Sequence, residues 1–192
     1  MWGCANLQMR VEIPSFLPSF IPSFLPSFPR LPYLRIMKIL MVCLGNICRS
    51  PLAEGILQHK ASRAGLNWVI DSAGTNGYHT GEAPHRLSIK VAALNDIDIS
   101  NQVSRRFVKK DIEQYDIIYA MAADVMDDIR RIAGNDFHPG KIRLFLPDTL
   151  PHEGEDVPDP WYGGEDGYHE VYDLLNRACD ALLQREPASL HN

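Results

Sequence analysis

The sequence predicts an α/β fold in three layers, a central four-stranded parallel sheet flanked by helices, with an anion-binding loop after the first strand. Three observations carry this. From Lys38 to Gln184, apolar runs of strand length alternate with amphipathic segments of helix length, and such alternation builds βαβ units whose right-handed crossovers make the strands parallel. The first of these runs is continuous rather than alternating, as a strand covered on both faces is. It also ends on Cys43 and turns through Leu-Gly-Asn-Ile-Cys just where a helix begins. Open parallel sheets bind ligands at that place, beyond the carboxyl ends of their strands.

Taken in order, "KILMVC" (Lys38–Cys43) is the first strand. "SPLAEGILQHKASRAG" is a helix with Leu52, Ile56 and Leu57 on one face and Gly65 as its stop. "NWVIDSAG" is a second strand that ends in a turn, and residues 84–94 form a helix. "YDIIYAM" is the third strand, "ADVMDDIRRIAG" a helix closed by Gly134, and "KIRLFL" (Lys141–Leu146) the fourth strand. A long loop, "PDTLPHEGEDVPDPWYGGED", leads to a last amphipathic helix from Gly167 to Gln184, with Val171, Leu174, Leu175, Ala178 and Leu182 on one face.

Upstream lies a different kind of sequence. Residues 13–29 repeat Pro-Ser-Phe-(Leu/Ile), and Pro14, Pro18, Pro22 and Pro26 fall one helical turn apart. Each proline removes a helix hydrogen bond and clashes with the preceding turn, so an extended, poorly ordered tail over residues 1–36 is expected. The order of a signal peptide is absent. Two readings stay open: a docking or membrane-touching tail, or upstream sequence ahead of a true start at Met37.

Composition narrows the function classes. The chain of 192 residues is 45% hydrophobic and 22% charged, the mix of a globular domain with a real core. A net charge of -5 argues against nucleic acid and against a polybasic membrane surface. Cys4, Cys43, Cys48 and Cys179 contain no C-x-x-C pair, which disfavours a zinc site and a disulfide framework and points to a reducing, cytoplasmic setting.

The loop "CLGNICRS" has a definite chemistry. A strand-to-helix turn aims backbone N–H groups inward, and the helix dipole adds partial positive charge. Gly45 permits close backbone approach, and Asn46 tolerates the left-handed region. Arg49 supplies a planar fork that matches two phosphate oxygens. A cradle that binds anions also favours the thiolate of a cysteine at its floor, and Ser50 adds a hydrogen bond. Cys43 is therefore a nucleophile aimed at phosphate, and the Walker A spacing is absent. Cleaving an aryl phosphate also calls for a proton donor to the leaving oxygen. Asp159 in "VPDPWYGG" is the candidate, stiffened by Pro158 and Pro160 and flanked by Trp161 and Tyr162.

These residues resemble the low-molecular-weight protein tyrosine phosphatases. "VCLGNICRSP" is similar to that family's C-x5-R-S phosphate loop, "DSAGT" (Asp71–Thr75) to its second-strand turn, and "VPDPWYGG" to its acid loop. The resemblance runs from Lys38 to about Leu183 and implies a phosphatase domain over residues 37–192. It implies that Cys43 attacks phosphorus and carries a thiophosphate intermediate, with Arg49 and the amides of residues 44–49 (Leu44, Gly45, Asn46, Ile47 and Cys48 among them) holding the phosphoryl oxygens. It implies that Asp159 acts as acid and then base, that Asn46 and Ser72 brace the loop, that Ser50 assists the thiolate, and that no metal or cofactor is needed. Tyr78 is expected on one wall of the crevice, with Trp161 and Tyr162 on the other. Cys48 is expected either to pair reversibly with Cys43 under oxidation or simply to pack, while Cys4 and Cys179 are expected to be inert.

Three positions depart from the family pattern: Trp161 stands for a common Tyr, His85 for an acidic residue, and Ala122 for an Asp that often follows the Met. The substrates implied are phosphotyrosine proteins, with a bacterial tyrosine autokinase as partner and no membrane insertion. Protein-arginine phosphatases share the fold but typically carry Thr where this chain has Ile47. Arsenate reductases relay oxidation through later cysteines, and none occurs here between 49 and 178. A phosphate-binding module without turnover is the remaining alternative, disfavoured by the intact Cys43, Arg49 and Asp159.

Overall fold

The computed structural model of the protein describes residues 36–185. The proline-rich tail and Cys4 lie outside the described residues. Four strands, β1 (Lys38–Cys43), β2 (Val69–Gly74), β3 (Ile117–Ala120) and β4 (Ile142–Leu144), form one sheet in the order β2-β1-β3-β4. Every neighbouring pair is parallel, as the alternation of strands and helices requires. Successive side chains of β1 point to opposite faces and feed two cores. Ile39, Met41 and Cys43 join one cluster, and Leu40 and Val42 join the other.

Helix α1 (Arg49–Arg63) packs Leu52, Ile56 and Leu57 into the first core. It closes at Gly65, whose φ of 72° only glycine adopts without strain. Helix α2 (Arg86–Ala93) contributes Val91 and Ala92 to the same core. A single turn, α3 (Asp111–Gln114), and α4 (Ala123–Ala133) cover the opposite face through Ile112, Val125 and Ile129. The sheet is thus the middle of three layers. Among the described residues no helix is long and apolar enough to cross a membrane.

The fourth strand is shorter than expected. The last pair of the β3–β4 ladder is Ala120 with Leu144, so Phe145 has no strand beside it. The chain turns there into α5 (Phe145–Thr149), closed by the Thr149 hydroxyl donating to the Phe145 carbonyl at 2.7 Å. Pro147 stands in the first turn, where its missing N–H costs nothing. Phe145 and Leu146 stay buried, and Phe145 meets Tyr119 edge-on at 5.2 Å. Burial does not distinguish a strand from a helical turn, which is why the apolar run reads as one strand. The final helix, α6 (Glu165–Arg185), begins two residues before the expected Gly167 and buries Val171, Leu175, Ala178 and Leu182, with Leu174 half-buried. It lies on α1, where Lys60 pairs with Asp180 at 2.6 Å.

At the end of β2 the sheet meets the loop that follows β1. A Cβ placed on Gly74 would stand 2.9 Å from the Leu44 oxygen and 2.9 Å from the Gly45 carbonyl carbon. Both are backbone atoms and cannot step aside. Gly74→Ala is expected to cost about 1–3 kcal/mol of stability by overpacking, read as a lowered midpoint in thermal denaturation. It also displaces the loop, so activity falls with it.

Candidate active site

The loop between β1 and α1 is held by its carbonyls. Those of Cys43 and Leu44 accept from the backbone of Thr75 and Asn76, each at 3.0 Å. The Gly45 carbonyl accepts from the Ser104 hydroxyl at 3.2 Å, and that of Ile47 from the His85 amide at 2.7 Å. In a trans peptide the following N–H points opposite to the carbonyl. Tying four carbonyls to the surroundings therefore turns the amides of Leu44, Gly45, Asn46 and Cys48 the other way, toward the loop's own centre. There Cys43 Sγ receives the Asn46 amide at 3.2 Å and lies 3.0 Å from Ser50 Oγ.

Asn46 takes the left-handed region, φ 56°, and is 2% exposed. Its side chain offsets that strain. Nδ2 donates to Ser50 Oγ at 3.0 Å and to Ser72 Oγ at 2.8 Å, and Oδ1 accepts from the Arg105 amide at 2.9 Å. Ser72 passes its own proton on to Glu54 Oε2 at 2.6 Å. Arg105 is itself fastened, its guanidinium donating to Asp71, Asp111 and the Tyr115 hydroxyl.

Facing the sulfur is the segment after α5. Val157 donates to the Met121 carbonyl at 2.8 Å, and Asp156 accepts from the Ala123 amide at 2.7 Å. These two bonds tie the segment to the carboxyl end of β3 and the start of α4. They set Asp159 against Arg49, Oδ2 to Nη2 at 2.8 Å, while the other guanidinium nitrogen donates to the Val157 carbonyl at 3.3 Å. The guanidinium is 6% exposed and the carboxylate 36%. Arg49 thus forms the inner wall, and Asp159 stands toward the mouth. The crevice encloses about 620 Å³ including its opening.

Cys43, Leu44, Gly45, Ile47, Cys48, Arg49, Asp159, Trp161 and Tyr162 all line this crevice. Asn46, Ser50 and Ser72 lie behind it and brace the loop. Tyr78 does not form the expected wall. It is 86% exposed and faces a neighbouring depression with Arg106 and Asp128, while Asn76 and His79 take the wall position. The turn at Gly77 and Tyr78 carries the tyrosine outward and brings the next side chain in. Cys48 is buried against the Tyr168 hydroxyl at 3.5 Å, and burial pushes its thiol up to about 11. It is therefore a protonated thiol at neutral pH and a poor nucleophile. Cys179 is fully buried in the core, and its thiol is likewise pushed up by burial.

A model of the low molecular weight phosphotyrosine protein phosphatases matches residues 38–191. The chain belongs to this family. YfkJ, a low-molecular-weight protein-tyrosine-phosphatase of Bacillus subtilis, is 36% identical over 152 residues, covering 77% of this chain and 94% of YfkJ. The crystal structure of YfkJ superposes with a TM-score of 0.75 over 80% of this chain and 96% of its own. Wzb of Vibrio vulnificus, solved with benzylphosphonate, is 30% identical with a TM-score of 0.69, over 78% of this chain and 99% of Wzb. YwlE of B. subtilis, an arginine phosphatase solved with a phosphorylated active-site serine, is 27% identical with a TM-score of 0.72, over 81% and 100%. The chain is a phosphoric monoester hydrolase of this group, whose members work through a cysteinyl-phosphate intermediate.

Two departures of this phosphatase find physical replacements. Ala122 leaves α4 without a cap of its own, and Asp156 supplies the acceptor from the acid loop instead. His85 caps α2, its Nδ1 accepting from the Leu87 amide at 3.3 Å, the role a short carboxylate serves at a helix start. Sequence reasoning passed over Glu54, Arg105 and His79. Glu54 follows the Arg-Ser-Pro motif by one turn and is the only one of these with a local signal, an acid in the helix that carries the motif.

Burial raises the Glu54 carboxyl from the ordinary 4.5 to about 7, with the Ser72 hydrogen bond opposing, Asp71 adding to the rise, and Arg105 opposing. The folded state therefore keeps a proton that the unfolded chain releases nearer 4.5. This contribution to stability is complete below the unfolded value and is lost as pH rises through about 7. In Glu54→Gln, which retains an acceptor for Ser72, that loss disappears. Chemical denaturation of both proteins across this window is expected to show the wild type falling relative to the variant.

Proposed function

We propose that this phosphatase hydrolyses phosphotyrosine in proteins, with Cys43 as nucleophile, Arg49 as the phosphate fork and Asp159 as general acid. The observation that carries this reading is the Cys43 sulfur at the crevice floor. It takes a hydrogen bond from the Asn46 amide and lies 3.0 Å from Ser50 Oγ, opposite an Arg49–Asp159 pair at 2.8 Å. An incoming monoprotonated phosphate takes over the guanidinium, and its proton passes to the freed Asp159 carboxylate, which then faces the leaving oxygen as a carboxylic acid. Sulfur attacks phosphorus in line, and the S–P bond forms as the P–O bond to the phenol breaks. The phenol oxygen leaves with the proton of Asp159. The loop amides and Arg49 hold the three equatorial oxygens, where charge accumulates. Water then attacks the thiophosphate, giving a proton to Asp159 and returning Cys43 as thiolate.

The wall favours an aryl group. Trp161 and Tyr162 flank Asp159 at the mouth, and Ile47 presents an apolar side chain where arginine phosphatases carry Thr. The benzylphosphonate held by Wzb is a compound of the same shape. Phosphoarginine is the second reading, favoured by the likeness to YwlE. Turnover of a phosphotyrosine peptide is expected to exceed that of its phosphoarginine counterpart, and the reverse order overturns the preference. We place the enzyme in the cytoplasm, opposing a tyrosine autokinase. Phosphoproteins retained by the Cys43→Ser form from its own cell extract identify the counterpart.

Cys43→Ser is expected to abolish hydrolysis while phosphate still protects the protein against thermal unfolding. Undiminished turnover would falsify the nucleophile. Asp159→Asn is expected to slow turnover of aryl phosphates by about 10²–10⁴-fold in steady-state kinetics, and an unchanged rate means the acid lies elsewhere.

A further inference from the structure

His85 occupies a junction that its capping role does not explain. Its backbone amide holds the Ile47 carbonyl of the phosphate loop at 2.7 Å. Its ring lies flat on Tyr168 of α6, with centroids 5.2 Å apart and planes at 19°. The same ring also meets Trp161 edge-on at 5.5 Å and 62°. Trp161 stands two residues from Asp159, and its amide donates to Asp159 Oδ1 at 3.1 Å. One imidazole therefore touches a fixed helix and the acid loop, while its own backbone grips the loop that holds the nucleophile. Burial and, next, Arg86 lower the proton affinity of the ring below the ordinary imidazole value. It is thus neutral at neutral pH, as the Nδ1 acceptor at the α2 cap requires.

We propose that the ring of His85 is a positioning residue for proton transfer: by linking Trp161 to Tyr168 through its two ring contacts it holds the Asp159 carboxyl at the leaving oxygen. The inference rests on the reading of Asp159 as general acid and goes beyond it. Trp161 is 46% exposed, and its ring contact with His79 on the crevice wall is longer, at 5.9 Å, than the one with His85. Without the imidazole the indole loses its inner support, and the turn of Pro160–Tyr162 that Asp159 caps is free to shift. A displacement near 1 Å is enough to cost a proton transfer up to about 10²-fold.

Two substitutions separate ring from cap. His85→Asn keeps a side-chain acceptor for the Leu87 amide and removes the ring. His85→Phe keeps a flat ring between Tyr168 and Trp161 and removes the acceptor. Each is assayed as kcat/KM, which reports bond cleavage in the first step, on phenyl phosphate and p-nitrophenyl phosphate. Phenoxide is the poor leaving group that needs the proton; p-nitrophenoxide, from a far more acidic phenol, needs it much less.

His85→Asn is expected to lose roughly 10- to 100-fold on phenyl phosphate and much less on p-nitrophenyl phosphate. His85→Phe is expected to stay near wild type on both substrates while its melting temperature falls. Equal losses on both substrates in His85→Asn, or a selective loss in His85→Phe alone, would make the residue a cap and end the proposal. Asp159→Asn is measured alongside. If it shows the leaving-group selectivity and His85→Asn does not, only the present proposal fails. If Asp159→Asn shows none, the reading of the acid fails first and this inference goes with it.

Discussion

Asn46 holds a backbone shape that the chain would not keep alone. A non-glycine residue in the left-handed region costs about 1–2 kcal/mol, yet the turn that brings loop amides around Cys43 runs through it. Three hydrogen bonds from its buried amide, to Ser50, to Ser72 and from Arg105, offset that cost. Everything else at the site follows from the loop's curvature. The carbonyls face outward, the amides face inward, and the sulfur sits among donors.

The bracing extends well beyond the loop. Ser72 belongs to β2, Glu54 to α1, and Arg105 to the segment that runs beside the end of β2, where Gly74 bonds to both Arg105 and Phe107. Arg105 is in turn anchored by Asp71 and Asp111, so the acceptor side of Asn46 is fixed by a charge cluster on the sheet's edge. A buried polar network of this kind rigidifies only when each member is satisfied. Here Asn46 and Ser72 have partners for their donors and acceptors. The acid loop is attached independently, through Met121 and the start of α4. Cys43 and Asp159 therefore rest on different parts of one sheet end and meet at Arg49 and along the aromatic contacts of Trp161.

Much of this was legible along the chain. The run of Lys38–Cys43 matches β1 residue for residue, and Gly65 and Gly134 end α1 and α4 as expected. Strand and helix periods and turn chemistry are local, so they survive translation into three dimensions. The misreadings came where local signals carry no direction. Phe145 and Leu146 are apolar in a strand or in a helical turn, and only the end of the β3 ladder decides which. Tyr78 is the larger aromatic and invites a role in the wall, but the turn that carries it faces outward and hands the wall to His79. The turn α3 is too short to show a period.

By itself the sequence determined the α/β order, the Cys43-to-Arg49 loop at the end of the first strand, and the proline-stiffened segment around Asp159. Each of these is a contiguous stretch whose spacing already dictates its geometry. Only the tertiary structure decided what stands against that loop: Ser72 is 26 residues from Asn46, Arg105 is 59, and Asp159 is 110 from Arg49. Contacts across such separations depend on which strand ends come together in the sheet, and no periodicity along the chain records that.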